Sequence, residues 1–229
     1  MLKKLFNKYL NYELTDKQVV QFDTYYDFLV SYNEHTNLTR ITNKEEAYVK
    51  HFLDSCLLGL GIDFNQVESI CDMGAGAGFP SIPLLMIYPN LKVTIVESQI
   101  KRVEFLNQLK EKLNLEYEVV HERAEVYALK NQQKFDVVTA RALGELNIIL
   151  EYGIPMLKIG GIFIAPKGSK YEEEIKRADK ALKILNSKIS HIENFELENM
   201  GFRANIYIKK EKHQSGYPRA YAKIIKNPL

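Results

Sequence analysis

A doubly wound α/β fold with a small N-terminal helical extension is what this 229-residue sequence predicts. Three observations carry the prediction. Short apolar runs alternate with amphipathic helical stretches from Gly61 onward. A glycine-rich loop lies between the first of these runs and the helix after it. The segment before Gly61 shows helical periodicity alone.

The elements follow in order. Thr15 with Gln18 forms a capping box, and Val19, Phe22, Tyr26 and Leu29 continue at helical spacing. Thr42 with Glu45 reads as a second capping box, opening a helix with Tyr48, Phe52 and Cys56 on one stripe and Gly59 as its stop. Beyond Gly61, strands are expected at 67–73, 92–96, 118–121, 135–139 and 162–165, the last set up by a turn at Gly160-Gly161. Helices are expected at 80–88, 101–113, 146–157 and 171–185, with Val103, Leu106, Leu109 and Leu113 forming the buried stripe of the second. Strands at 187–195 and 203–209 complete seven. The domain plan is a helical extension over 1–60, a sheet domain over 61–211 and a basic tail over 212–229.

Composition sets outer limits. Hydrophobic residues make up 46% and charged residues 26%, an ordinary globular balance that argues against disorder. No apolar run is long enough to suggest a membrane span, and the basic N-terminus lacks the apolar core and cleavage site of a secretory signal. Two cysteines, Cys56 and Cys71, offer no disulfide framework or metal cluster, so a reducing, cytoplasmic compartment is expected. The formal net charge of +2 hides an asymmetry. From Gly201 onward seven Lys/Arg face the single acid Glu211, whereas the first 65 residues carry seven bases and nine acids. A basic end suits a polyanion, although a solvated tail has the same composition.

The glycine loop is the strongest local signal: Asp72-Met-Gly74-Ala-Gly76-Ala-Gly78-Phe-Pro80, between strand and helix. Alternating glycines let backbone approach a ligand closely. A dinucleotide fingerprint would need its third glycine at position 79, which is Phe79. Asp72 would repel a pyrophosphate but could anchor the cationic methionine portion of S-adenosylmethionine. Glu97 ends the next strand, where a carboxylate can accept from both ribose hydroxyls. The competing reading makes Asp72 a helix cap and Glu97 a solvated strand end. Two acids at two adjoining strand ends favour a nucleoside cofactor. Arg123-Ala124-Glu125 and Arg141 follow the third and fourth strands at the same sheet edge, where Ala124 and Glu125 could border an adenine. Taken singly, Arg123 and Glu125 also read as a surface ion pair.

Together these residues resemble the small-subunit (16S) ribosomal RNA guanine-N7 methyltransferase family, also called glucose-inhibited division protein B. The resemblance runs through Asn37-Leu-Thr39, Tyr48–Ser55, Asp72–Pro83, Val96-Glu97-Ser98, Lys101-Arg102, Arg123-Ala-Glu125, Ala140-Arg141-Ala142, Gly160-Gly161, Lys167-Gly168, Tyr217-Pro218-Arg219 and the final Asn227-Pro228-Leu229. It implies a class I S-adenosylmethionine-dependent methyltransferase, Rossmann-like with a seven-stranded sheet. The implied cofactor contacts are Gly74, Phe79, Ala124, Glu125 and Arg141, with Asp72, Gly76 and Glu97 close by. Ser81 stands where the family usually has glycine, Met73 replaces the commoner valine, and Ala220-Tyr221-Ala222 lies where a glycine is often found.

The implied reaction is direct displacement at the sulfonium methyl by the N7 lone pair, which needs no side-chain base and rests on alignment. The sequence has no Asn/Asp-Pro-Pro-Tyr/Phe loop after the fourth strand and no Pro-Cys nucleophile. His51 suits packing as well as RNA contact. Lys167, Arg219, Lys223 and Lys226, with Arg141, are the expected phosphate ligands, and Tyr217 and Tyr221 could stack on a base. The expected partner is 16S RNA or the small subunit, met by a monomer without metal or membrane. A methyltransferase of small molecules or proteins, or a non-catalytic RNA-binding module, is the alternative on the same fold.

Overall fold

A computed structural model describes residues 1–197 and 200–229. The chain begins with helix α1 (Leu2–Leu10) and α2 (Asp16–Thr36). Thr15 caps α2 with the full reciprocal box to Gln18, an arrangement that stabilises a helix by about 1 kcal/mol. The second expected box is displaced by one residue. Asn43, not Thr42, accepts the Glu46 N–H and opens α3 (Lys44–Ala47), because Asn is the stronger cap and sits in extended backbone. This helix widens into a π-helical stretch, Tyr48–Leu53, and continues through α4 (Asp54–Cys56) into 3-10 turns over Leu57–Leu60. Gly59 therefore lies inside the last turns, and Gly61 ends them.

Seven strands form one sheet: β1 (Ser69–Met73), β2 (Lys92–Glu97), β3 (Glu118–His121), β4 (Phe135–Thr139), β5 (Leu157–Lys167), β6 (Ser187–Leu197) and β7 (Gly201–Lys210). Their order is β3-β2-β1-β4-β5-β7-β6. The first five strands pair in parallel; β7 inserts antiparallel between β5 and β6. The doubly wound, seven-stranded sheet expected from the sequence thus carries an antiparallel edge. Leu197 pairs with Gly201, so β7 must turn straight back along β6. The expected turn at Gly160-Gly161 falls within β5, where the register with β4 jumps from Phe135–Leu157 to Val137–Ile162. Gly160, at φ 85°, forms this bulge.

Helices α5 (Ser81–Ile87) and α6 (Ile100–Leu113) cover one face of the sheet. Val103, Leu106, Leu109 and Leu113 are buried there, at the expected stripe. Phe6, Phe22 and Tyr25 from the first two helices join that core, so the N-terminal segment is built into the sheet's own packing. The opposite face carries α7 (Ala124–Lys130), α8 (Leu146–Gly153), α9 (Tyr171–Ile184) and α10 (Tyr221–Lys226). The helical stretch expected at 146–157 ends early, passing through 3-10 turns at Ile154–Met156 into β5. Cys56 and Cys71 are both free and buried in core. Among the described residues, no helix is long and apolar enough to cross a membrane, and no His/Cys/Asp/Glu cluster is placed to hold a metal ion. The strand order reverses between β1 and β4, the place where open α/β sheets hold ligands.

Candidate active site

The glycine loop leaves β1 at this switch point. Gly74, Gly76 and Gly78 have φ of 67°, 61° and 95°, a region that L side chains rarely enter. The Gly74 N–H donates to Val96 O at 2.8 Å, tying the loop to the end of β2. A Cβ on Gly76 would meet no heavy atom within 4 Å, so the backbone there faces open space. Glu97, buried at the end of β2, accepts the Gly76 N–H at 3.1 Å and the Gln99 N–H at 2.9 Å. Arg102 stands 3.6 Å from the same carboxylate. Glu97 is therefore no solvated strand end; it is a buried acceptor whose remaining lone pairs border the loop.

Asp72 makes the helix cap that one reading of the sequence expected. One carboxylate oxygen accepts the Ser81 N–H at 3.1 Å and caps α5. The other, Oδ1, is buried without a hydrogen-bond partner among the described residues. Burial pushes this carboxyl up to about 7, outweighing the Ser81 hydrogen bonding and nearby Arg141. A buried acid with an unpaired oxygen, beside an open glycine cradle, fits the cationic end of S-adenosylmethionine.

Two cavities flank the loop. One of about 240 Å³ is bordered by Ser98, Ala124, Glu125, Tyr152 and Tyr221. Glu125 is buried, and Arg123 Nε donates to its Oε1. The other, about 190 Å³, is bordered by Gly76, Phe79, Arg102, Arg141 and His51. Leu143 lies between them, close enough to Gly74 that a Cβ there would stand 2.6 Å from its Cδ1.

Arg141 is held from every side. It donates to Lys50 O and to Asp54 at 3.2 Å, lies 4.8 Å from the Phe79 ring centroid, and reaches His51 Nδ1 at 3.3 Å. Since guanidinium only donates, Nδ1 accepts, and the His51 Nε2–H donates to Thr39 Oγ1 at 2.9 Å. Burial first, then Arg141, pulls His51 down to about 3. His51 is thus a neutral packing residue stacked on Phe79 at 4.5 Å. The π-helical stretch presents His51 and the adjoining Asp54 together to this arginine. Asp54, buried, also takes a two-pronged bond from Arg203 at 2.9 and 3.1 Å. A third cavity, about 320 Å³, opens beside Arg141, Lys167 and Arg203.

The basic residues expected to meet RNA divide into two groups. Lys223 and Lys226 are exposed on α10. Lys167 and Arg219 are engaged within the chain. Lys167 pairs with Glu174 at 2.7 Å and donates to Gly144 O at 2.9 Å. Arg219 forks onto the fully buried Glu151 at 2.7 and 2.6 Å. Lys210 is likewise buried, donating to Pro155 O and Leu157 O. Of the seven bases from Gly201 onward, Arg203, Lys210 and Arg219 are engaged within the chain, and Lys209, Lys212, Lys223 and Lys226 are exposed. Sequence reasoning missed Leu143, Tyr152 and Arg203 as site residues. The Arg203–Asp54 contact spans 149 positions and carries no local signal.

The model of the family described as rRNA small subunit methyltransferase G matches residues 18–202. A relative of that name from Acholeplasma laidlawii is 59% identical over 230 residues, covering 100% of both chains. Another, from Staphylococcus carnosus, is 48% identical over 94% of this chain and 92% of its own. Among solved structures, an O-methyltransferase from Bacillus cereus in complex with SAH superposes with TM-score 0.62 at 14% identity, covering 92% of this chain and 97% of that one. A precorrin-6y methyltransferase from Geobacter metallireducens gives 0.52 at 15%, over 68% and 87%. These two likenesses establish the class I methyltransferase fold. The sequence relatives, taken with the glycine loop and its acids at the switch point, go further: this chain belongs to the rRNA small subunit methyltransferase G family.

Proposed function

We propose that this protein transfers the methyl group of S-adenosylmethionine to N7 of a guanine in 16S ribosomal RNA, acting as a cytoplasmic monomer. The observation that carries the reading is the placement, in a member of this family, of the open glycine loop and Glu97 at adjoining strand ends. The bound cofactor supplies an electrophilic sulfonium methyl and departs as S-adenosylhomocysteine. Gly74 and Gly76 let backbone approach it, Glu97 accepts from the ribose hydroxyls, and Ala124 and Glu125 border the adenine. Asp72 faces the cationic end, with Phe79 and Arg141 closing that side. Guanine N7 already carries a lone pair, so no side chain removes a proton and no metal is needed. His51, neutral and buried, has no part in proton transfer. The residues of this chain work by alignment and by electrostatics prepared in advance.

On the RNA side, Arg141 and Arg203 line the cavity beside Lys167 and together outnumber Asp54, leaving net positive charge there. Lys223 and Lys226 add exposed phosphate ligands on α10. Tritiated methyl transfer to 16S RNA and to small subunits, followed by mapping of the modified base, tests the reading. Label at N7 of one guanine is expected; label in another molecule, or at another atom, rejects it.

A further inference from the structure

We propose that Tyr221, in the C-terminal tail, is a positioning residue for adenine recognition, acting through Arg123 on Glu125. The Arg123 guanidinium carbon lies 4.1 Å from the centroid of the Tyr221 ring, a cation–π arrangement. The same guanidinium gives its Nε–H to Glu125 Oε1. The three residues form a relay from tail to cavity, and all three border the cavity that Ser98 and Ala124 line. With Oε1 held by Arg123, the other oxygen of Glu125 is the acceptor offered to an exocyclic amine.

Arg123 needs such a support. Its side chain is 54% exposed, so a long flexible arm would otherwise sample many rotamers. Tyr221 is itself 45% exposed, yet its backbone is fastened on both sides. Upstream, Arg219 is locked onto Glu151, and Gln132 Nε2 donates to Tyr217 O at 3.0 Å. Downstream, Ile224 and Leu229 enter the core, and Asn147 Nδ2 donates to Leu229 O. The tail thus delivers one aromatic ring to a fixed place beside the cavity. Tyr221 lies outside the residues matched by the family model.

This inference rests on the proposed placement of adenine beside Glu125, and the two are separable. Calorimetry on the full chain would compare S-adenosylhomocysteine with S-inosylhomocysteine, which lacks the exocyclic amine. Tyr221→Ala should weaken S-adenosylhomocysteine about fivefold while leaving the deaminated analogue within about twofold of the parent. Tyr221→Phe, which keeps the ring but loses the hydroxyl that also bonds Arg123, should weaken S-adenosylhomocysteine less than Tyr221→Ala does. Arg123→Leu, at a half-exposed site, should reproduce the discrimination even if Tyr221→Ala fails to fold. Glu125→Ala should weaken S-adenosylhomocysteine more than either. If Glu125→Ala weakens binding while Tyr221→Ala and Arg123→Leu do not, the relay is overturned and the adenine placement stands. Equal weakening of both ligands by Tyr221→Ala makes the ring a mere wall and also overturns the relay. No effect from Glu125→Ala removes the adenine placement, and the relay with it.

Discussion

Asp72 owes its unusual state to its address. The end of β1 is covered by helices on both faces, so water cannot solvate the carboxylate, and one N–H from Ser81 does not replace it. Its folded value of about 7 lies above the unfolded value of 3.8, so the folded chain holds the proton more tightly. That contribution to stability is fully present below about pH 3.8 and is lost as pH rises through 7. Urea unfolding at pH 5 and pH 8 should therefore show Asp72 lowering stability by about 2–3 kcal/mol between the two. Asp72→Asn, neutral throughout, should flatten that part of the profile; an unchanged slope would assign it to other groups. A bound cation reverses the preference, so affinity for S-adenosylhomocysteine should rise between pH 6 and pH 8 in the parent and not in Asp72→Asn. The sequence marked Asp72 as either cap or cofactor anchor. Only burial, which depends on α5 and the loop closing over it, shows that the carboxylate caps the helix through one oxygen and leaves the other unpaired.

At the scale of elements, the buried strands and the stripe of α6 were legible because apolar runs and helical periodicity are local properties. Helix α7 escaped notice because only Glu125, Tyr127 and Ala128 of its seven residues are buried, whereas the equally short α5 is buried throughout, and α10 because its buried face is Ile224 alone. The tail was only partly legible for a different reason: charge can be counted in a sequence, but its partner cannot. Arg219 meets Glu151 across 68 positions, and the acid is completely buried in α8. Removing the guanidinium leaves that carboxylate uncompensated. Arg219→Ala should thus destabilise by about 3–5 kcal/mol, seen as a lower urea midpoint. The double variant Lys223→Ala/Lys226→Ala should leave the midpoint within about 0.5 kcal/mol. If those two lysines touch phosphates, each loss removes about 0.7–0.9 from the log–log salt slope of RNA binding. A double variant with parental slope and affinity would shift the RNA contact to the cavity beside Arg141 and Arg203.

At the scale of the whole molecule, Asp54 joins parts that the sequence plan kept separate. It belongs to the N-terminal helical segment, yet its carboxylate binds Arg141 beyond β4 and Arg203 on β7. The helical segment also shares its apolar core with the glycine loop and α6: Tyr25 and Phe52 lie against Phe79, Phe22 packs behind Phe52, and Phe28 stacks on Phe105 of α6. Aromatic packing of this kind does not survive the loss of one side, so residues 1–60 and the sheet should unfold together. Heating or urea should give one transition, with the same midpoint by far-ultraviolet dichroism and by tyrosine absorbance. Asp54→Ala tests the coupling directly. It strands two arginines whose side chains are only 15% and 17% exposed, and their mutual repulsion adds to the desolvation. A loss of about 3–5 kcal/mol is expected, with the single transition retained at a lower midpoint. Binding of S-adenosylhomocysteine should weaken too, because Arg141 loses the acid that holds it against Phe79. Two resolved transitions in the parent protein would instead make the helical segment an independent unit, with Asp54 merely its clasp.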